Sequence, residues 1–152
     1  MTHDEVEILY IEDNAADVEL TLVALRRHKI ANRIHVARDG AEALDFIFCR
    51  GAHANREFFA PKLVLLDMKL PKIDGLEVLH AIREDERTKM IPVVVLTSSN
   101  EQKDMVESYK LHVNSYIQKP VDFDQFQQVV QQLGLYWLVV NQTPLPKSAL
   151  AF

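Results

Sequence analysis

With 152 residues, 48% of them hydrophobic, the chain can build one domain around a core and is too short for two of ordinary size. A net charge of -5 at pH 7 argues against a whole-protein electrostatic footprint for nucleic acid, and the single cysteine, Cys49, excludes an intrachain disulfide framework. No apolar stretch approaches the roughly 18 residues that a membrane span needs, and Met1 to Glu7 is polar and acidic, unlike a signal peptide, so the expectation is a cytoplasmic protein that binds neither DNA nor membrane.

Val6 to Ile11 is a nearly unbroken apolar run, as expected of a strand buried on both faces of a parallel sheet. Asn14 is placed to cap a helix over Ala15 to Lys29, with Val18, Leu22 and Leu25 at helical spacing and a basic final turn through Arg26, Arg27 and His28. Arg33 to Arg38 alternates like an edge strand, and Asp39-Gly40 turns the chain into a helix over Ala41 to Cys49, with Cys49 as a small buried residue. Periodicity lapses from Arg50 to Pro61, the longest internal loop. Lys62 to Leu66 is the third strand, followed by a loop with Pro71 and Gly75 and a helix carrying Val78, Leu79 and Ile82 on its core side.

After Pro92 comes the strand Val93 to Leu96. Ser99 and Gln102 have capping-box spacing and open a helix to about Lys110, with Met105, Val106 and Tyr109 as its apolar side. Ser115 to Gln118 is the last strand, and Asp122 caps a final helix in which Phe123, Phe126, Val130 and Leu133 repeat at three and four residues. Strands alternating with helices in this way predict an α/β fold with helices on both faces of a parallel sheet. The natural architecture is flavodoxin-like, a doubly wound five-stranded sheet of order 2-1-3-4-5.

That order places the first and third strands side by side and gathers the residues that follow the apolar runs: Glu12 and Asp13, Asp67, Thr97 and Lys119. Ligands bind outside the carboxyl ends of strands in such sheets. Clustered carboxylates repel, so one protonates unless a cation neutralises them, and oxygen-only ligands suit a hard cation such as Mg2+, which commonly pairs carboxylates with a phosphoryl oxygen. Asp67 could attack phosphorus to give an aspartyl phosphate, Asp13 could hold the metal, and Lys119 and Thr97 could each engage a phosphoryl oxygen.

The segments Ile11-Glu12-Asp13-Asn14, Leu66-Asp67-Met68-Lys69-Leu70-Pro71 with Asp74-Gly75, Leu96-Thr97-Ser98-Ser99 and Lys119-Pro120 resemble the motifs of receiver domains of bacterial two-component response regulators. The resemblance covers about Val6 to Leu133 and divides the chain into a receiver over 4–133 and a C-terminal extension over 134–152. It implies that Asp67 accepts a phosphoryl group from a sensor histidine kinase. Mg2+ would be held by Asp13, Asp67 and the main-chain carbonyl of Lys69, with Glu12 acting through a water. It implies too that Thr97, Lys119 and Tyr116 form the switch, that the Lys119-Pro120 peptide is cis, and that Lys69 and Ser99 tune the rate. The Arg50 to Pro61 loop, Tyr136-Trp137-Leu138 and Pro144-Leu145-Pro146 are similar to stand-alone regulators paired with bacterial phytochromes, whose output is a binding surface.

Competing readings are a phosphorelay intermediate, a Mg2+-dependent phosphohydrolase working through an aspartyl phosphate, a flavin or nucleotide binder, and a receiver-like module that has lost phosphorylation. The hydrolase would carry a second aspartate where Lys69 stands, a binder would carry a glycine-rich loop, and the intact acid, threonine and lysine set speaks against loss. Asp74 and Gly75 read as turn and cap residues. The six histidines, His3, His28, His35, His53, His80 and His112, show no metal-ligand spacing and read as surface or helix-end residues. Leu135 to Val140 is surplus apolar surface, either folded back or joining a homodimer through the fourth helix, fifth strand, fifth helix and the tail.

Overall fold

The structure is a computed structural model that describes residues 6–26, 33–70 and 73–135. Five strands, β1 (Ile8–Ile11), β2 (Ile34–Ala37), β3 (Leu63–Asp67), β4 (Val93–Thr97) and β5 (Ser115–Gln118), form one parallel sheet in the order β2-β1-β3-β4-β5. Between and after them run α1 (Ala15–Arg26), α2 (Gly40–Ile47), α3 (Gly75–Glu84), α4 (Asn100–Ser108) and α5 (Phe123–Gln132). The expected doubly wound architecture is therefore present, with β2 at one edge.

Alternate strand residues point to opposite faces, and the core divides accordingly. Leu9, Ile11, Val64, Leu66, Val93 and Val95 pack with Ala43 and Phe46 of α2, Val78, Leu79 and Ile82 of α3 and Val106 of α4. Ile8, Tyr10, Leu63, Leu65, Val94, Leu96 and Ile117 pack with Val18 and Leu25 of α1 and with Phe126, Val129 and Val130 of α5. Because both faces are covered, the inner strands run apolar without alternation until Asp67 and Thr97 close β3 and β4.

Most helix starts follow local chemistry. Asn14 accepts the Asp17 amide at 2.9 Å, Asp39 the Glu42 amide at 2.7 Å and Asp122 the Gln125 amide at 2.8 Å. Asp74 is the cap residue it was read as, and it forms a reciprocal capping box with Glu77. Ser99 accepts the Gln102 amide at 3.1 Å, but the Gln102 carboxamide oxygen accepts from the Ser98 amide, one residue earlier than a capping box requires.

Several expectations are corrected. The second helix ends at Ile47, and Cys49 is half-buried in a left-handed turn with φ of 56°, because the chain reverses there into a short 3-10 turn over Gly51–His53. The apolar side expected for α4 reduces to Val106: Met105 is 43% exposed and Tyr109, just past the helix end, is 58% exposed. His80 and His112 are exposed as anticipated, whereas His35 sits half-buried on β2 and His53 half-buried in the 3-10 turn. His3, His28, the basic turn Arg27 to Lys29, Pro71 and the tail from Tyr136 onward lie outside the described residues. Among the described residues no helix is long and apolar enough to cross a membrane.

Candidate functional site

Register assembles the site. Ile11 lies beside Leu66 and Asp67 beside Leu96, while Thr97 lies beside Gln118, so Glu12, Asp67, Thr97 and Lys119 emerge at one end of four adjacent strands. Ladder bonds continue into these residues: the Glu12 amide donates to Ala37 O at 2.9 Å and the Lys119 amide to Thr97 O at 2.8 Å. Gly75 lets the start of α3 lie against the β3 exit, since a Cβ there would sit 2.7 Å from Met68 Cα and 2.9 Å from Asp67 O.

Glu12, Asp13 and Asp67 each offer a carboxylate oxygen, and these oxygens lie within 4.8 Å of one another. Glu12 is 0% and Asp67 4% exposed, whereas Asp13 is open to solvent. The Lys119 ammonium stands among the acids, 3.1 Å from Glu12 Oε1, 3.1 Å from Asp17 Oδ2 and 3.5 Å from Asp67 Oδ2. Its approach to Glu12 is close but lacks hydrogen-bond geometry, and Glu12 Oε1 is buried without a hydrogen-bond partner. The Lys69 amide donates to Asp67 Oδ1 at 3.5 Å, turning the loop around that carboxylate.

Burial, followed by the neighbouring Asp67, pushes the Glu12 carboxyl up to about 7. Burial works against the charged form of Lys119, but Asp17, Asp67 and Glu12 outweigh it and raise the ammonium above its ordinary range. The expected crowding of carboxylates is thus met in part by a retained proton and in part by the lysine. Three carboxylates with oxygens within 4.8 Å of one another, one of those oxygens buried and met only by an ion pair to Lys119, are the donor set of a hard divalent cation, and the residues present fit Mg2+.

Thr97 is 4% exposed at the end of β4. Tyr116 is half-buried on β5 with the Lys103 ammonium 5.2 Å from its ring centre, and burial with nearby Glu107 pushes its phenol up to about 12. Ser99 and Lys69 are exposed at the rim. The Lys119-Pro120 peptide is cis. Every residue singled out from the strand ends therefore falls in one neighbourhood. Two contributors were missed: Asp17, which shares Lys119, and Arg38, whose guanidinium donates to Asp13 O at 3.2 Å. Asp17 follows its cap residue by one helical turn and faces the strand ends, a signal readable only once α1 is docked.

The family described as response regulator receiver domain matches residues 8–131. Among curated proteins, the probable methanogenesis regulatory protein FilR2 of Methanothrix harundinacea is 42% identical, with 94% of this chain and 90% of that protein covered. Response regulator Rcp1 of Synechocystis is 40% identical, with 90% and 92% covered. The solved bacteriophytochrome response regulator AtBRR is 49% identical over 91% of this chain and 99% of its own, with a TM-score of 0.84. The Mn2+-bound form of Rcp1 is 38% identical over 92% and 99%, with a TM-score of 0.70.

Proposed function

Because this chain belongs to the response regulator receiver domain family, we propose that Asp67 accepts a phosphoryl group from a sensor histidine kinase and so switches a protein-binding surface. One observation carries the reading: a buried carboxylate at the end of β3, flanked by two more acids and an ammonium 3.5 Å away. An Asp67 oxygen attacks phosphorus, the P–N bond of the kinase phosphohistidine breaks, and the imidazole nitrogen leaves with the bonding pair and takes up a proton. Lys119 then turns from Glu12 and Asp17 to a phosphoryl oxygen, and the Thr97 hydroxyl donates to another. Mg2+, held by Asp13, Asp67 and the Lys69 carbonyl with Glu12 behind a water, would neutralise the phosphoryl charge. Tyr116 passes the change to the face made by α4, β5 and α5.

The chain acts as a phosphoacceptor in the cytoplasm, not as an enzyme on a separate substrate. The likeness to AtBRR supports a phytochrome-type kinase as its donor, and the exposed Met105 and Tyr109 on the α4 side support a homodimer through that face and the tail. Acetyl phosphate with Mg2+ should add one phosphoryl group by intact mass, and Asp67→Asn should abolish it; equal labelling of the variant would overturn the assignment. Lys69 and Ser99 bear no carboxylate or carboxamide to orient water, so the label should decay slowly and faster in Lys69→Asn; an unchanged decay would remove Lys69 from rate control.

A further inference from the structure

A second cluster lies away from the strand ends. His35 on β2, Glu42 in the first turn of α2 and His53 at the end of the 3-10 turn come from three separate elements. Glu42 Oε2 is 3.6 Å from His35 Nε2 and 3.9 Å from His53 Nε2, and one ligand atom from each residue lies within 4.8 Å of the others. Two ligands bound at about 2.0–2.1 Å to a tetrahedral Zn2+ are roughly 3.3 Å apart, so small side-chain shifts would close the set.

Packing already fixes the rings. The His35 ring stacks on Phe46 with centres 4.0 Å apart and planes at 8°, and His53 stands edge-on to both, 5.4 Å from His35 and 5.1 Å from Phe46. Glu42 is held from the other side, because its Oε1 accepts the Arg38 amide at 2.9 Å and leaves Oε2 to the histidines. Gly51, with φ of +55°, starts the turn that delivers His53, and a Cβ there would lie 2.6 Å from Asp45 Oδ2.

His35 Nε2 is buried and has no hydrogen-bond partner. Buried polar atoms are rarely left so, and an imidazole nitrogen beside a carboxylate and a second imidazole needs a shared cation or a proton. The Arg56 guanidinium, 4.1 Å from the Phe46 ring centre, is engaged elsewhere: its Nε and Nη2 donate to Phe46 O at 3.0 and 2.6 Å. The cluster opens onto a surface cavity lined in part by Phe46, Ala52, His53 and Arg56, through which an ion and water can enter.

We propose that His35, Glu42 and His53 bind a borderline transition-metal ion of the Zn2+ class, with water completing the coordination. Two imidazoles and one carboxylate suit such an ion, whereas the all-oxygen acids at the strand ends suit a hard one. The two sites are chemically distinct.

Co2+ added to the full chain in excess Mg2+, which fills the carboxylate site, is the probe. One equivalent should bind with the visible absorption of a four-coordinate, imidazole-ligated ion, and Zn2+ should displace it. His53→Gln and Glu42→Gln should each weaken Zn2+ binding by more than about 100-fold, beyond what loss of a supporting hydrogen bond costs, and Asp67→Asn should leave it unchanged. Absence of the Co2+ signal overturns the proposal, as does binding lost in Asp67→Asn and kept in His53→Gln. A folded His53→Gln with a lower Tm but unaltered Zn2+ affinity makes the cluster a packing device and also overturns it.

Discussion

Lys119 is divided among three acids, and Asp17 is the one that the strand-end pattern did not announce. The others follow apolar runs and could be read directly, because a parallel strand puts its next residue at the ligand-binding edge. Asp17 is a helix residue, whose direction depends on how α1 docks. The clustering of His35 with His53 was not legible for a related reason: spacing reports neighbours on one element, and these two come from a strand and a turn joined only by tertiary packing. Glu12 supplies the pH prediction. Its carboxyl, raised from 4.5 to about 7, keeps its proton in the folded metal-free chain where the unfolded chain has lost it. Stability from this group therefore falls as pH rises from 4.5 to about 7 and is level above. Thermal melts without metal should show Glu12→Gln gaining on the native chain across that window; a constant difference in Tm would reject the assignment.

At the scale of elements, the strands and helices were legible because period and cap chemistry agreed, and the errors sit where an element meets its neighbours. The second helix ended early because the polar loop needs a reversal at Cys49, and α4 kept a single buried anchor because it lies lightly on the sheet. Arg83 shows what sequence pattern does not report. From α3 it donates to Leu111 O, His112 O, Lys89 O and Ile91 O and to Asn114 Oδ1, at 2.8 to 3.3 Å. The Asn114 oxygen also accepts the Val93 amide at 2.8 Å, so one guanidinium ties α3 to the entrances of β4 and β5. Replacing it by methionine leaves several acceptors unpaired and should cost about 2–3 kcal/mol. Urea unfolding measures this, and a loss within experimental error would show that water replaces the guanidinium.

For the molecule as a whole, alternating strands and helices gave a parallel sheet covered on both faces, and the flavodoxin-like architecture expected for it supplied the order β2-β1-β3-β4-β5 that gathers the site. The surface was harder to read, since association depends on patches rather than on period. If the α4, β5 and α5 face and the tail join two copies, a chain ending at Leu133 should associate more weakly in sedimentation experiments; an unchanged association constant would remove the tail from the interface. The ladder bonds at Glu12 and Lys119 bear on durability. They make these two residues the last rungs of adjacent strand pairs, Glu12 against Ala37 and Lys119 against Thr97, rather than members of free loops. Fraying of the connections around them leaves both rungs in place, so the charge cluster comes apart with the sheet and not before it.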